Sequence, residues 1–434
     1  MKIAIIGAGI SGLTCAYYLS RDHIVTVFES EPEIGGHTAT KSVEVKGETY
    51  NVDTGFIVYN DWTYPNFIAL MDEIGVGGRK SEMSFSVTCE SSGLEYAGSN
   101  VNTLFADRKN LMRPAYWKML NDIVRFNKVA IADLKSGNIS PDLRLADYLA
   151  AKNFGQLFRD KYLVPMGAAI WSSTLQGIDD FPALFFIRFF RNHGLLSVKN
   201  RPQWYTINGG SRNYLSALTS PFSESIKSGV TISKIERGSA HVDIEYSADD
   251  KSRSSERFDA LVIATHSDQA LALLNDATSL EKQLLGAIPY RSNEVVLHTD
   301  ESRLPWRRKA WASWNYRLPK DNRSTNGDEA LPMLTYDMNI LQGIDSDTTF
   351  CVSLNQTSEI DESRILGVYH YSHPVFTREG MDAQSRWEEI AGTKNTWFCG
   401  AYWANGFHED GVNSALRVVA SVNSMQNNGV SVVA

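Results

Sequence analysis

Cysteine is scarce in this sequence: four residues in 434, at positions 15, 89, 351 and 399. Their separations match no metal-ligand spacing and no disulfide framework, so no metal site is expected and a reducing compartment is. Long apolar runs are missing too, and none reaches the roughly 18 residues that a membrane-spanning helix needs. Basic charge is not in excess either. The formal net charge is −8, which argues against nucleic acid as a partner and against purely electrostatic attachment to anionic lipid. The chain opens on KIAIIG, which already reads as a strand and leaves no room for the regions of a secretory signal. These absences together predict a cytoplasmic protein. What is present is an ordinary globular composition, 43% apolar and 21% charged, at a length that predicts two domains, each with a sizeable core.

The first thirty-six residues carry the strongest local pattern. Lys2 to Ile6 reads as a buried parallel strand, Gly7, Gly9 and Gly12 form G-x-G-x-x-G, and a helical pattern continues over Leu13 to Leu19. The first glycine permits a tight turn and the second lets backbone N–H groups approach a pyrophosphate. The third lets helix pack on strand, and the helix N-terminus adds positive potential. Gly7, Gly9, Ile10, Ser11 and Gly12 are therefore candidate cofactor contacts. The next apolar run, IVTVFE, ends in Glu29, placed to accept hydrogen bonds from a ribose hydroxyl pair, with Ser30 beside it. An acid there disfavours a 2′-phosphate, so NADP is not expected. A glycine pair, Gly35 and Gly36, follows in EPEIGGHTAT. It lets backbone pass close to a cofactor, or simply makes a turn.

At EIGGHTAT the chain resembles the flavoprotein superfamily of monoamine oxidases, phytoene-type desaturases and protoporphyrinogen oxidase. Those families follow the ribose acid with R-x-G-G-R and a Thr or Ser three residues on. Gly35, Gly36 and Thr40 match, whereas Glu33 and His37 replace the arginines. The resemblance implies FAD as cofactor, with His37 substituting for the second arginine. It implies an α/β fold, a Rossmann-like FAD-binding domain of the glutathione-reductase/amine-oxidase type with an inserted α+β substrate domain. FAD-binding segments are expected at 1–75, 200–290 and 385–434, and substrate-domain segments at 76–199 and 291–384.

Later stretches extend the resemblance. YNVDTGF offers Asp53, Thr54, Gly55 and Phe56 at the family's D-x-G, and YTINGGSRNYLSAL carries a Gly-Gly turn before a helix. GVTISKIE and FDALVIAT read as two strands separated by a polar hairpin. The first is expected to present backbone to adenine near Ile232, and the second to run under the pyrophosphate and end at Ala264 and Thr265. In WFCGAYWANGFHEDGVNSALRVVASV a strand leads to Gly400, a loop, and Gly411 opening an amphipathic helix. The resemblance implies that Val412, Asn413 and Ser414 meet the flavin N1–C2=O edge. Ala401 stands where relatives often carry an acid, and Asp410 is the candidate replacement.

Flavin dehydrogenation asks little of side chains, so missing residues inform as well. The stretch PYRSNEVVLHTD has no Lys where amine oxidases of the family place one beside flavin N5; Asn293, Glu294 and Val295 stand there instead. No aromatic pair is legible near Phe407 or His408. Both points weigh against an amine oxidase. Aromatic residues crowd MGAAIWSS, FPALFFIRFFRNHGLL, RKAWASWNYR and VYHYSHPVF, which either build a second core or line an apolar cavity. The segment with Arg188 and Arg191 reads as a buried helix with two exposed arginines, or as an amphipathic helix giving peripheral membrane contact. His298, His370 and His373 read as structural. His408 is the candidate acid–base group, with Glu409 and Glu294 as weaker ones.

GGHTAT, MGAAIWSS, HTDESRLP and GFHEDG together resemble a bacterial branch found alongside cyclopropane-synthase-like fatty-acid methyltransferases. This implies a lipid or other apolar small-molecule substrate and a fatty-acid methyltransferase partner. Three functions stay open: an FAD-dependent desaturase or dehydrogenase of a fatty-acyl chain, an amine oxidase making imine and peroxide, and a flavin- and lipid-binding protein without significant turnover.

Overall fold

Five short strands rich in Ile, Val, Leu and Phe form a parallel sheet, buried on both faces as such runs require. They are β1 (Lys2–Ile6), β2 (Ile24–Phe28), β3 (Ile226–Lys227), β4 (Ala260–Ile263) and β5 (Thr396–Phe398), in the order β3-β2-β1-β4-β5. The sheet is thus gathered from both ends and the middle of the chain. The computed structural model describes residues 1–248, 253–320 and 331–429.

Three helices position the site. Helix α1 (Ile10–Leu19) leaves the first glycine turn, α2 (Pro65–Glu73) starts on a proline at its first position, and α3 (His408–Gly429) lies along α1. Pro at the start of α2 costs no hydrogen bond, because that N–H has no helical partner anyway. Helix α1 begins three residues before the apolar pattern suggested, since Ile10 to Gly12 are already helical. The polar stretch after Thr231–Arg237 is also more ordered than a hairpin. It supplies strands Val242–Ser247 and Arg253–Phe258 of a three-stranded antiparallel sheet, while the tip at 249–252 lies outside the described residues.

A second, seven-stranded mixed sheet takes Phe85–Cys89 and Leu94–Ala97 from one part of the chain and five strands between 290 and 374 from another. Its edge is the long antiparallel pair Tyr290–His298 and Ile365–Pro374. Against the opposite end of this sheet packs a helical core that includes Phe126, Phe158, Phe186 and Phe190. The helix Ala183–Asn192 buries Phe186, Ile187, Phe189 and Phe190 there and exposes Arg188 and Arg191. Its apolar face is spent inside the protein, so this helix does not supply the membrane contact considered above.

Candidate functional site

The glycine turn divides into glycines the fold requires and one it does not. A Cβ on Gly12 would sit 1.9 Å from the Gly7 carbonyl oxygen, and one on Gly7 (φ +103°) would sit 2.8 Å from that of Ala264. Gly9 has an ordinary φ of −78°, and nothing lies within 4 Å of a Cβ placed there. That open cradle is the room a cofactor phosphate needs. Gly35 donates its N–H to the Ala8 carbonyl at 2.9 Å, and a Cβ on Gly36 would come within 3.4 Å of Gly9 Cα, so the two turns face each other across it. Helix α1 has no side-chain cap and no acid in its first turn, which leaves its N-terminal potential uncompensated. Helix α3 closes on the same point: a Cβ on Gly411 would be 2.9 Å from both Ile10 Cγ2 and Ser11 Oγ.

At the carboxyl end of β2, Glu29 accepts hydrogen bonds from the Ala8 N–H at 2.8 Å, the Glu31 N–H at 3.0 Å and the Ser30 hydroxyl at 3.2 Å. The Val230 N–H donates to the Glu29 carbonyl, and the register of the next strand slips between Ile232 and Lys234. Glu29, Ser30 and the approach to Ile232 therefore share one end of the cleft. Ala264 hydrogen-bonds to Ile6, and the Thr265 hydroxyl donates to the His266 carbonyl, so both border the glycine turn.

At the other end, His37 meets three rings: His266 at 5.7 Å, His373 at 5.5 Å and Tyr371 at 5.4 Å between centroids. Burial, reinforced by the other two histidines, pushes His37 down to about 3, and burial pushes His373 down to about 4. Both are neutral at physiological pH. His37 hydrogen-bonds to the backbone of Ser372, and its buried Nε2 has no partner. His373 Nδ1 accepts from Asn293 Nδ2 at 3.1 Å, and Asn355 fixes that amide by donating to Asn293 Oδ1 at 3.0 Å. The neutral His373 ring consequently carries its proton on Nε2.

Several expected site residues have other work. Asp53, fully buried, accepts from Thr40 Oγ1, the Ser211 N–H and the Ser211 hydroxyl; it ties the strand Glu48–Asp53 to the 209–211 turn. Burial raises its carboxyl to about 6 despite those bonds. Asp53 and Thr40 are thus bound to each other rather than offered to a cofactor. Thr54 and Phe56 donate backbone N–H groups to Ala39 and His37, and a Cβ on Gly55 would strike the His37 carbonyl, so these residues hold His37 in place. The Thr54 hydroxyl also lies 2.8 Å from that of Tyr371.

The three acid–base candidates need correction. His408 stacks on Phe56 with centroids 3.5 Å apart, meets Phe67 and Tyr214 edge-on, and places Nε2 3.1 Å from Thr38 Oγ1. At 7% exposure it is a packed residue of the nucleotide-side core, not a group open to substrate. Glu409 caps α2, accepting from the backbone N–H of Asn66 and of Phe67. Glu294 pairs with His370 and Thr357 on the outward face of its strand, because side chains alternate and the inward positions are Arg291, Asn293 and Val295.

The helix contacts shift as well. Helix α3 begins at His408, so its unpaired N–H groups belong to residues 408–410, and the Gly411 N–H already donates to Phe407. Val412 is buried in the core, Asn413 accepts from Asn66 Nδ2 at 2.7 Å, and Ser414 Oγ accepts from the Gly400 N–H at 3.1 Å. Asp410 accepts from the Phe407 N–H at 2.9 Å, which makes it the helix's own cap rather than a substitute for the acid missing at Ala401. Ala401 itself lies beside Gly411, where a Cβ would approach it to 3.9 Å.

Sequence reasoning missed Arg291, His266, Tyr371 and His373 as a group. The available signal was strand parity. Arg291 pairs with His373 and Asn293 with Tyr371 across the long antiparallel pair, so these strand residues share one face; His266 lies on neither strand and parity does not reveal it. Beyond them a narrow cavity is lined by Trp171, Phe181, Phe376, His373 and Arg291. Phe185 stacks on Phe376 behind it, and the buried Trp171 Nε1 has no partner. No acidic residue lines it.

A glycine turn from strand to helix, a ribose-facing acid and crossing helix starts are the parts of a dinucleotide cleft. Residues 5–74 match the NAD(P)-binding Rossmann-like domain family. A stretch of 88 residues is 35% identical to 15-cis-phytoene desaturase of Synechococcus elongatus, covering 20% of this chain and 18% of that enzyme. The chain thus matches less than a fifth of that relative's length. Over nearly the whole chain the fold is similar to cyclohexylamine oxidase from Brevibacterium oxydans, with a TM-score of 0.68, 15% identity and coverage of 98% and 99% of the two chains. It is equally similar to a fatty acid isomerase of P. acnes that produces CLA, with a TM-score of 0.67, 16% identity and coverage of 96% and 98%. The architecture is therefore a mixed α/β fold of the flavin amine oxidase type, built on a Rossmann-like domain.

Proposed function

We propose that the protein is an FAD-dependent oxidoreductase that dehydrogenates a fatty-acyl chain. The observation that carries the substrate class is the lining beside His373. It encloses only about 10 Å³ in this conformation, so an acyl chain enters once an aromatic wall such as Phe376 turns aside. The walls are aromatic, the charged residue is Arg291, and no carboxylate balances that charge. Such a lining suits an apolar chain ending in a carboxylate and repels an ammonium group. The unpartnered Trp171 Nε1 is a second donor for the same headgroup. A fatty-acid methyltransferase acting on the same chains is the partner this reading carries.

The residues fit FAD. Gly9 leaves space for the pyrophosphate, the uncapped start of α1 adds positive potential, and Glu29 holds the adenosine ribose. When bound, FAD supplies a two-electron oxidant. The chain's own residues orient and dry the substrate: Phe376, Phe181 and Trp171 line its path and Arg291 anchors one end. His37 and His373, both neutral, wall the inner end of that path; burial holds both far below the ordinary imidazole value, so they shape the site rather than take a proton from the substrate.

Anaerobic mixing of the flavin-loaded protein with long-chain fatty acids and with amines tests the reading. Bleaching by the acyl chain, with weaker binding in Arg291→Gln, is expected. Bleaching by benzylamine or a polyamine alone moves the protein to the amine oxidases. Lipid binding without bleaching by either class makes it a flavin- and lipid-binding protein.

A further inference from the structure

Two stretches distant in sequence form one surface away from the parallel sheet. Glu95, fully buried, accepts from the Trp306 N–H at 2.7 Å and from Arg307 at 3.3 Å, while its carbonyl accepts from Asn110 Nδ2 at 3.1 Å. Arg307 also reaches Asp107 at 3.5 Å, and the turn Val101–Leu104 adjoins Arg308–Ala310. Residues 101–118 and 301–311 are thereby clamped side by side.

That surface exposes what a soluble face normally hides. Met112 is 85% exposed, Val101 72%, Trp306 54%, Trp117 49% and Leu111 46%. Trp117 is held in place, since its Nε1 donates to the Leu111 carbonyl at 3.0 Å. The same two stretches carry eight cations (Arg108, Lys109, Arg113, Lys118, Arg303, Arg307, Arg308 and Lys309) in a chain of net charge −8. Arg307 is paired with Glu95 and Asp107, Arg308 with Glu301 and Arg303 with Glu359, which leaves Arg108, Lys109, Arg113, Lys118 and Lys309 without an acid partner among the described residues. Asp107 is buried and bound. A fissure of about 550 Å³ opens here between Trp306, Trp311, Arg303 and Arg308, and Arg317 at its edge is buried with Nε unpartnered.

We propose that this face docks the protein on an anionic phospholipid bilayer. Met112, Leu111, Trp117 and Trp306 enter the boundary between headgroups and acyl chains, and the surrounding cations meet lipid phosphates. The mixing of residue types favours lipid over protein, because cores of protein interfaces deplete lysine, whereas Lys109 and Lys118 stand among the apolar side chains here. Charge alone was not expected to attach this acidic protein to a membrane. The surface supplies apolar insertion as well, and it stands whether or not the oxidoreductase reading does.

Vesicle co-sedimentation of the flavin-loaded full chain tests this. Mixed phosphatidylglycerol/phosphatidylcholine vesicles should bind it at least tenfold better than pure phosphatidylcholine, and salt should weaken binding. Met112→Glu and, separately, Lys109→Glu with Arg113→Glu should each reduce binding about tenfold or more with Tm unchanged, as these side chains are exposed or half-exposed. Equal partition onto both vesicle types, or full binding by Met112→Glu, overturns the proposal. So does a dimer in solution, without vesicles, that Met112→Glu converts to monomer, since that assigns the face to a second copy of the chain.

Discussion

The Glu409 carboxylate caps a helix 342 residues away in sequence, accepting the Phe67 N–H at 2.8 Å on one oxygen and the Asn66 N–H at 3.1 Å on the other. It joins the first turn of α3 to the first turn of α2. The start of α2 therefore depends on a side chain of α3, whose own start is held by Asp410.

Glu409→Ala should destabilise the fold by about 1.5–3 kcal/mol, the usual cost of a lost charge-assisted hydrogen bond at a helix start. Thermal unfolding measures this. Glu409→Gln, which keeps the acceptor oxygen, should lose less. The rate of flavin reduction by substrate should stay within a few-fold in both variants; a collapse of that rate with an unchanged Tm would return Glu409 to the chemistry.

Gly9→Ala and Gly12→Ala should differ in kind. The first adds a methyl to open space at an allowed φ, so the apoprotein should keep its Tm and lose visible flavin absorbance. The second drives a Cβ into the Gly7 carbonyl and should yield little folded protein. A fully yellow Gly9→Ala protein would mean that phosphates bind elsewhere.

His408→Ala should behave as a core truncation. The ring fills space against Phe56, Phe67 and Tyr214, so its removal should cost about 2–4 kcal/mol. Glu294→Gln, on the outward strand face, should change neither stability nor reduction rate. Stopped-flow reduction of both variants, set beside their unfolding curves, separates packing from chemistry.

Stability should fall on acidification between about pH 7 and pH 5. His37 is held near 3, and His193, His298 and His373 near 4, by burial, whereas all return to the ordinary 6.5 on unfolding. Between those values the unfolded chain binds more protons, so lowering the pH favours it, by roughly 2 kcal/mol per such histidine at pH 5. Asp53, Asp337 and Asp410, raised to about 6, act in the opposite sense from 3.8 upward, since there the folded chain holds the extra proton. The histidines reach higher in pH and shift further, and they prevail. A Tm at pH 5 equal to or above that at pH 7 would contradict this balance, and His298→Gln should narrow the gap.

The sequence by itself determined the nucleotide half of the fold: β1, the glycine turn, α1, β2 and the acid at its end. Those features are legible because each is a local demand. Gly7 needs a positive φ, Gly12 has no room for a Cβ, and Glu29 follows directly from its strand. Tertiary structure alone decided the partners of the titratable groups. Glu409 could not be separated from a catalytic acid until α2 was seen to start beside it, nor Asp410 from a flavin ligand until α3 was seen to begin at His408. Glu294 and Asn293 are neighbours in sequence on opposite faces, and only the pairing with His370 and Tyr371 says which face looks inward. The His37, His266 and His373 cluster draws on three segments of the chain. A carboxylate or imidazole takes its role from whatever fills the last few ångströms around it, and residues far apart in the chain supply that.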